Sequence, residues 1–422
     1  MRARRKLTMQ LLLCLRVPTL AASWLCRTFR RNKRETQSPA ILVVRLDGLG
    51  DSVLTLPLLD QLRQSFPGGR ISVLSSPAAA ALLQGYPAVD EVIPQRTVRA
   101  GFLPLQARTF LTALYTYWTT LRGRHFDIAI NPRWDVDVYM ATFLCALTRA
   151  SVTVGFEDAT TPFKAWLNRG FEKTWNVRVP PGPLQHEVLH GHALARALGC
   201  EVRDSHAPRL PVSSAQEEQA RQWIGESAGR VLIALGLPAA DPKRRWNIDG
   251  YITTLRLLNE RFSVHPIVLA DEATAEAAER IAEAIPHSAV AMRLPLLQTA
   301  AVLKECVLFI GSDSGLGHIA AAVGCPTITL SPHPTAGDPA HPNSPLRFRP
   351  YGEKAEVLQP STARPGCESS CVAEGAHCID AITPEQVVAA TLEILSRARS
   401  RDDSNPAHDG SSEWTVIRPA IS

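Results

Sequence analysis

The sequence predicts an α/β protein built from two Rossmann-like domains that face a central cleft. Two series of short apolar runs alternate with segments of helical spacing, at about 40–198 and 216–397. This alternation is typical of doubly wound parallel sheets. Gly-rich turns follow the first strand of the first series and a late strand of the second. Ligands of such sheets bind where the strands end, so both turns are candidate binding elements.

Length and composition agree with this division. The chain has 422 residues, enough for two or three domains, and its apolar fraction of 45% excludes a disordered chain. We expect four parts: a basic leucine-rich leader at 1–38, an amino-terminal domain at 39–205, a carboxy-terminal domain at 206–398 and a disordered tail at 399–422.

The basic charge of the chain is concentrated in the leader. Residues 1–34 hold ten Lys and Arg and no acidic residue, which leaves 35 basic against 40 acidic residues elsewhere. The domains themselves therefore give no evidence of nucleic-acid binding. Residues 7–26 are leucine-rich, but a Gln, an Arg and a Pro interrupt them, which disfavours a spanning helix. We interpret the leader as an amphipathic segment on an anionic membrane surface or as a disordered extension, with folded structure beginning at Ala40.

In the first domain, short apolar runs predict strands and apolar residues at helical spacing predict helices. The expected strands are 41–46, 71–74, 90–93 and 126–130. The expected helices are 52–66, a small-residue helix that ends at Gly85, about 105–122, 139–147 and 186–198. The stretch 173–185 is rich in Pro and Gly, and residues 204–214 are predicted to form an interdomain linker.

The second domain repeats the pattern. Its expected strands are 231–235, 266–270, 307–310 and 327–330. Its expected helices are 216–224, 248–261, 274–284, a helix that follows the turn 311–315, and 384–397.

The turn after strand 307–310 carries the strongest chemical signal. Asp313 and Ser314 are good N-cap residues, and the three glycines of GSDSGLG permit positive φ angles or the close approach of a phosphate. A helix that begins here presents N–H groups and partial positive charge, which favour an anion. The turn is therefore a candidate site for a phosphate or diphosphate, or an ordinary strand-to-helix connection.

Three functions are compatible with this turn. GLGHIA matches a dinucleotide fingerprint, but the acid expected about 20 residues later is missing, because strand 327–330 leads into Ser-Pro-His-Pro. A hydrolase elbow would use Asp313 as nucleophile, with His318 or His333 as base. The third function is a cradle for the diphosphate of a nucleotide sugar, which the other motifs favour.

Four further residues are candidates for chemistry. Asp51 ends the first Gly-rich turn, where a carboxylate can act as a general base or cap a helix. Lys243 and Arg244, followed by Arg245, lie in a loop after a strand and either neutralise a diphosphate leaving group or form a solvated basic loop. Glu272 follows another strand and either binds a ribose or lies on the surface.

Two motifs suggest metal binding, and we assign a metal to neither. Asp135-Val-Asp137 has the D-x-D form, but side chains at strand spacing alternate, whereas a hard cation needs converging oxygens. Cys367, Cys371 and Cys378, with His377, could bind zinc, although only one of their spacings is near the usual one. A structural staple or free thiols are equally compatible with these cysteines. We expect neither a metal nor an organic cofactor.

Three blocks together resemble glycosyltransferase family 9, the ADP-heptose:lipopolysaccharide heptosyltransferases, whose fold is GT-B. The resemblance covers roughly residues 40–397. The blocks are ILVVRLDGLGDSVLTLPLLDQLR, FIGSDSGLGHIAAAVGCPTITL and CVAEGAHCIDAITPEQVV. The leader lies outside this pattern, and Arg244 stands where the family usually has a lysine.

The resemblance implies an inverting, metal-independent transfer of a heptose, or a related sugar, from a nucleoside diphosphate to a lipopolysaccharide core or other lipid-linked glycan. Domain 39–205 would bind this acceptor and domain 206–398 the donor. Asp51 would be the catalytic base, and Lys243 and Arg244 would stabilise the leaving group. The donor would be bound by Gly50, Glu272, Asp313, Ser314, Gly315, Leu316, Gly317 and His318.

This resemblance also implies the surroundings of the enzyme. We expect a cytoplasmic protein, peripheral on the inner membrane through residues 1–34, with a nucleotide sugar and a lipid-linked glycan as partners and no nucleic acid. The hydrolase with Asp313 as nucleophile and a non-catalytic nucleotide-sugar-binding protein are the alternatives.

Overall fold

The computed structural model describes residues 12–31, 38–98, 103–202, 207–225, 230–341, 343–367 and 375–402. The chain separates into two compact units, Met1–His206 and Ala207–Ser422. Each unit contains a six-stranded parallel sheet. Most of the expected tail, from residue 403 onwards, lies outside the described residues.

The sheet of the first unit has its most apolar strand near the centre. Its strands are β1 (Ala40–Arg45), β2 (Arg70–Ser75), β3 (Glu91–Pro94), β4 (Ile128–Ile130), β5 (Val152–Phe156) and β6 (Val177–Val179). They lie in the order β3-β2-β1-β4-β5-β6. In the register of the sheet, Val43 of β1 pairs with Val73 on one side and with Ile130 on the other. The residues of β1 before Arg45 form a continuous apolar run and are almost all buried, as is typical of a parallel strand covered on both faces.

Helices connect these strands. The α-helices of the first unit are Val17–Thr28, Leu49–Leu54, Leu56–Ser65, Pro77–Leu83, Leu105–Thr116, Ala141–Thr148, Pro162–Leu167 and Glu187–Ala197. Leu12–Arg16 and Tyr117–Leu121 are π-helical, and Asp158–Thr160 and Phe171–Thr174 are 3₁₀ turns. The single helix expected at 52–66 is interrupted at Thr55, because Pro57 has no N–H to continue the ladder.

The sheet of the second unit repeats the arrangement. Its strands are β7 (Val231–Gly236), β8 (Val264–Ala270), β9 (Ala289–Met292), β10 (Leu308–Ser312), β11 (Thr327–Leu330) and β12 (Ala355–Leu358), in the order β12-β11-β10-β7-β8-β9. The α-helices are Ser214–Ile224, Ile248–Asn259, Ala275–Ala284, Leu296–Glu305, Gly315–Ala322, Pro345–Phe348 and Pro384–Asp402. Three 3₁₀ turns are Pro242–Arg244, Glu272–Thr274 and Ile379–Ala381.

Both sheets have the Rossmann strand order. Counted within its own unit, each runs 3-2-1-4-5-6 from one edge. The order reverses between β1 and β4 in the first sheet and between β7 and β10 in the second. Crevices at such reversal points, at the carboxyl ends of the strands, are the ligand sites of this fold.

The sequence missed four strands, β5, β6, β9 and β12. Three of them are edge strands of three or four residues whose side chains are only partly buried. An edge strand of this kind lacks a long apolar run, and it forms because a longer neighbour supplies hydrogen bonds. Strand β6 lies within the stretch 173–185, which is rich in Pro and Gly.

The expectation that folded structure begins at Ala40 is also wrong. Helix Val17–Thr28 buries Thr19, Ala22, Ser23 and Cys26 and packs against helix Ala141–Thr148. The buried face follows helical spacing, so a leader segment that reads as amphipathic uses one face to complete the core of the first unit. None of the described helices is long and apolar enough to cross a membrane.

Candidate functional site

Asp51 lies at the reversal point of the first sheet. It is the third residue of helix Leu49–Leu54, which follows β1 directly. Its Oδ2 accepts the N–H of Gly48 at 3.0 Å, and its Oδ1 accepts a hydrogen bond from Arg45 Nη2 at 3.0 Å. Gly48, not Asp51, occupies the N-cap position of this helix. Asp51 is the third residue of the helix, and its side chain accepts the N–H of the N-cap residue. Gly50 precedes Asp51 in the first turn of this helix.

A buried charge cluster surrounds Asp51. Arg45 Nε lies 2.8 Å from Asp47 Oδ1, and Arg45 Nη2 lies 3.9 Å from Glu187 Oε2. Arg133, from the loop after β4, forms an ion pair with Asp47. The side chains of Arg45, Asp47 and Glu187 are only 4% exposed, whereas that of Asp51 is 21% exposed. Asp51 is thus the carboxylate of the cluster through which solvent or a ligand gains access.

The cluster holds the pKa of Asp51 in a range suited to a general base. Burial, together with the negative charge of Asp47, raises the pKa of Asp51 to about 6, against the opposing charges of Arg45 and Arg133. Three carboxylates here face two guanidinium groups. The cluster therefore carries one negative charge in excess when all its groups are ionised. Protonation of Asp51 removes this excess charge, which favours a raised pKa. A carboxylate with this pKa is ionised at neutral pH and still accepts a proton effectively.

The D-x-D motif has structural partners. Asp137 is buried, and its carboxylate accepts the N–H groups of Tyr139, Ala141 and Thr142 at 2.7 to 3.2 Å, which fixes the start of helix Ala141–Thr148. Asp135 accepts the N–H of Val136 at 2.6 Å. These bonds give both carboxylates a structural role in the chain before helix Ala141–Thr148.

In the second unit, the turn after β10 has the predicted strand-to-helix form. Asp313 and Ser314 connect β10 to helix Gly315–Ala322, with Ser314 at the N-cap. The Ser314 side chain makes no cap bond, and its Oγ is buried without a hydrogen-bond partner among the described residues. A buried hydroxyl of this kind is suited to a ligand that brings a partner. Leu316, Gly317 and His318 follow in the first turn, where backbone N–H groups have no acceptor within the helix.

Gly311 and Gly317 serve close packing rather than positive φ angles. None of Gly311, Gly315 and Gly317 has a positive φ, so that part of the expectation is wrong. A Cβ on Gly311 would lie 2.5 Å from the ring of Phe309, and one on Gly317 would lie 3.2 Å from Thr329 Oγ1. A side chain at position 311 would therefore force the Phe309 ring to move, whereas one at position 317 would make a tight contact.

Arg244 connects this turn to a cavity in the same unit. Its Nη1 lies 3.6 Å from Asp313 Oδ2, and its Nη2 donates to Asn343 Oδ1 at 2.8 Å. Burial raises the pKa of Asp313, against the opposing charge of Arg244. The cavity has a volume of about 140 Å³, and its lining includes Lys243, Arg244, Asp241, His333, His341 and Asn343. Arg245 does not line it and donates instead to the Ala239 carbonyl.

Two of the residues predicted to bind the donor, Glu272 and His318, do not line this cavity. Glu272 does not line the cavity, since its side chain is 74% exposed and forms an ion pair with Arg293. His318 is buried within helix Gly315–Ala322. Of the three cysteines considered above as zinc ligands, Cys367 and Cys378 line the cavity with His377, and Cys371 lies outside the described residues.

Sequence reasoning missed the partners of Asp51. In the chain, Arg133 and Glu187 lie far from Arg45 and Asp47. The fold of the sheet brings all four residues together. A signal was present in the arginine that ends the apolar strand β1, because a buried charge requires partners.

A family model described as glycosyltransferase family 9 (heptosyltransferase) matches residues 114–377, more than half of the chain. The chain belongs to glycosyltransferase family 9. The resemblance of the three blocks and the prediction of an enzyme of the glycosyltransferase class are thereby confirmed. The hydrolase and the non-catalytic alternatives are set aside.

Relatives that are similar in sequence agree with this assignment. The lipopolysaccharide core heptosyltransferase OpsX of Haemophilus influenzae is 23% identical over 76% of this chain and 85% of its own. Lipopolysaccharide heptosyltransferase 2 of Salmonella typhimurium is 25% identical over 84% of this chain and 98% of its own.

Solved structures show the same fold. ADP-heptose lipopolysaccharide heptosyltransferase II of E. coli has a TM-score of 0.62 at 20% identity, covering 85% of this chain and 99% of its own. E. coli heptosyltransferase WaaC, solved with ADP, has a TM-score of 0.62 at 20% identity, covering 84% and 99%. Together with the two Rossmann-ordered sheets, these matches confirm the predicted α/β, two-domain GT-B fold.

Proposed function

We propose that this glycosyltransferase moves a heptose from ADP-heptose to a lipopolysaccharide core or other lipid-linked glycan, with inversion and without a metal ion in the transfer step. The observation that carries the proposal is the Asp51 carboxylate, held by Arg45 and by the Gly48 N–H at a sheet reversal point, with a pKa of about 6. The names of the relatives support the sugar and acceptor classes, and the ADP in a solved relative supports the nucleotide.

In the proposed reaction, the Asp51 carboxylate takes the proton from an acceptor hydroxyl. The hydroxyl oxygen then forms a bond to the anomeric carbon of the donor while the bond from that carbon to the diphosphate oxygen breaks. The electron pair leaves with ADP, and attack from the opposite face inverts the anomeric centre. Arg45, which binds the Asp51 carboxylate directly, would keep it oriented during this step.

The second unit is proposed to bind the donor. Lys243 and Arg244 line its cavity and would offset the negative charge that grows on the diphosphate. Ser314 and the first N–H groups of helix Gly315–Ala322 would donate to phosphate or sugar oxygens. Glu272 is proposed to accept from the ribose. In this proposal domain 39–205 binds the acceptor and domain 206–398 the donor.

We also propose that the enzyme works on the cytoplasmic membrane surface. Helix Val17–Thr28 leaves Val17, Trp24 and Leu25 exposed on the face opposite its buried one, and Phe29 beyond its end is 55% exposed. Aromatic and aliphatic side chains next to basic residues are typical of segments that lie in the interface of anionic membranes. A lipid-linked acceptor would meet the enzyme at such a surface.

Two variants separate catalysis from donor binding. Asp51→Asn should lower kcat by about 10²- to 10⁴-fold, the usual contribution of a general base, and leave the Kd for ADP unchanged. Arg244→Ala should weaken ADP binding about tenfold or more, because it removes a charged donor. Both are measured as ADP release and as thermal stabilisation by ADP, alongside GDP, UDP, dTDP and CDP, with and without Mg²⁺.

The matched control is Asp249→Asn, since that carboxylate is 80% exposed and lies in a surface ion pair. It should retain both activity and ADP binding. An Asp51→Asn enzyme that keeps its full rate, or that loses ADP binding together with its folded spectrum, contradicts the role of the base. Selective stabilisation by another nucleotide would retain the mechanism and replace the donor.

A further inference from the structure

We propose that Cys367, His377 and Cys378 bind one zinc ion. Their ligand atoms, two Sγ and one imidazole nitrogen, all lie within 4.8 Å of one another. His377 Nδ1 is 3.4 Å from Cys367 Sγ and 3.8 Å from Cys378 Sγ. Neither cysteine forms a disulfide bond. Among the described residues, this is the group of His, Cys, Asp and Glu side chains whose spacing suits a metal ion.

The separations fit tetrahedral coordination. Zinc bonds of about 2.3 Å to sulfur and about 2.0–2.1 Å to nitrogen place the two ligand atoms about 3.6 Å apart at the tetrahedral angle. The observed separations of 3.4 and 3.8 Å lie on either side of this value. Nδ1 of a neutral imidazole has one lone pair, which both sulfur atoms approach. A cation bound between the three atoms would be coordinated by this lone pair and by both sulfur atoms at the same time.

The ligand types, together with the tetrahedral spacing, favour zinc. Thiolate and imidazole favour zinc over magnesium, calcium or manganese, which prefer oxygen ligands. Cys378 is buried, and Cys367 and His377 are half-buried, so the bound ion would be largely shielded from solvent. Zinc takes four ligands in structural sites, so one position remains beyond the three described ligands. This site is separate from the transfer reaction proposed above and does not depend on it.

Zinc would hold in place one wall of the cavity that Lys243 and Arg244 also line. Cys367, Gly375, His377 and Cys378 all line that cavity, next to Lys243 and Arg244. The chain that follows is already anchored, because Trp246 Nε1 donates to the Ile382 carbonyl at 3.1 Å. A metal bond between Cys367 and the pair His377-Cys378 would fix the segment before this anchor, and metal binding of this kind contributes directly to folding.

The first test is the metal content of the full chain. After dialysis against a weak chelator, we expect about one zinc ion per chain by elemental mass spectrometry. Replacing the zinc with Co²⁺ should give the visible bands of tetrahedral cobalt and a thiolate charge-transfer band in the near ultraviolet. A chain that holds no zinc and gives no thiolate band with Co²⁺ overturns the proposal, as does a Cys367–Cys378 disulfide found under non-reducing conditions.

Variants then assign the ligands. Cys367→Ser, Cys378→Ser and His377→Asn should each weaken zinc binding by at least about tenfold, since even a partner outside the coordination sphere contributes that much. The matched control is Cys14→Ser, a half-buried thiol in the other unit, which should keep the full zinc content. Equal zinc in all four variants would place the ion elsewhere and overturn the assignment. The cobalt spectrum of the unmodified chain keeps the test valid where a variant fails to fold.

Discussion

Replacing Glu187 with glutamine should move the acid limb of the pH–rate profile to lower pH. Glu187 Oε2 lies 3.9 Å from the Arg45 Nη2 that also binds Asp51 Oδ1 at 3.0 Å. Burial is the main cause of the raised pKa of Asp51, and the negative charge of Glu187 adds to it. Glutamine keeps the size of the side chain and removes this charge. Because a general base acts only when it is ionised, a lower pKa extends activity to lower pH.

The geometry sets the size of the shift. Both carboxylate oxygens approach one nitrogen, so they are at most about 7 Å apart, and two unit charges at that distance interact by about 2 kcal/mol at an effective dielectric constant of about 20. Arg45 lies against both and offsets part of this repulsion, so we expect a shift of about one pKa unit. At pH 5 the unmodified enzyme should then keep about a tenth of its plateau kcat/KM, and Glu187→Gln about half.

The assay is kcat/KM from ADP release between pH 4.5 and 8.5, with circular dichroism at each pH to verify folding. Glu201→Gln, an exposed carboxylate of the same unit, is the control and should retain the unmodified profile. Unfolding provides a second readout. Because the folded pKa of Asp51 is raised, its contribution to stability is complete below about pH 4 and is lost as the pH rises through about 6. Identical acid limbs in Glu187→Gln and the unmodified enzyme, or a limb near pH 4 in both, would refute the reasoning.

Two other predictions concern packing and the membrane. Gly311→Ala should lower the free energy of unfolding by about 1–3 kcal/mol in urea titrations, because the new Cβ would overlap the Phe309 ring. Gly352→Ala, whose Cβ would meet nothing within 4 Å, should have no such cost; equal effects would refute the packing argument. Trp24→Ser should reduce sedimentation of the full chain with anionic vesicles, whereas Trp223→Ser, an exposed tryptophan of the other unit, should not. If the full chain bound neutral vesicles as well as anionic ones, the proposed attraction between its basic residues and anionic lipids would be contradicted.

The central elements of the fold and the main candidate residues could be predicted from the sequence. Strands β1 and β10 are apolar up to their last residues, Arg45 and Ser312, and such buried runs can be recognised without knowing their neighbours in the sheet. The turns that follow them hold Asp51 and Asp313, and their place at the ends of parallel strands follows from the alternation of strand and helix. Sequence alone therefore determined the fold class and which turns hold the candidate residues.

The tertiary structure decided the environment of those residues. An edge strand such as β6 depends on hydrogen bonds from β5, and the helix Val17–Thr28 depends on a surface that Ala141–Thr148 provides. The pKa of Asp51 depends on charges that the sheet gathers from β1, from the loop after β4 and from helix Glu187–Ala197. A local sequence pattern indicates which side chains of a segment are buried. It does not indicate which residues from distant parts of the chain will contact them, because those contacts form only when the strands pair in register. That is the physical reason why the carboxylate was predictable and its ionisation was not.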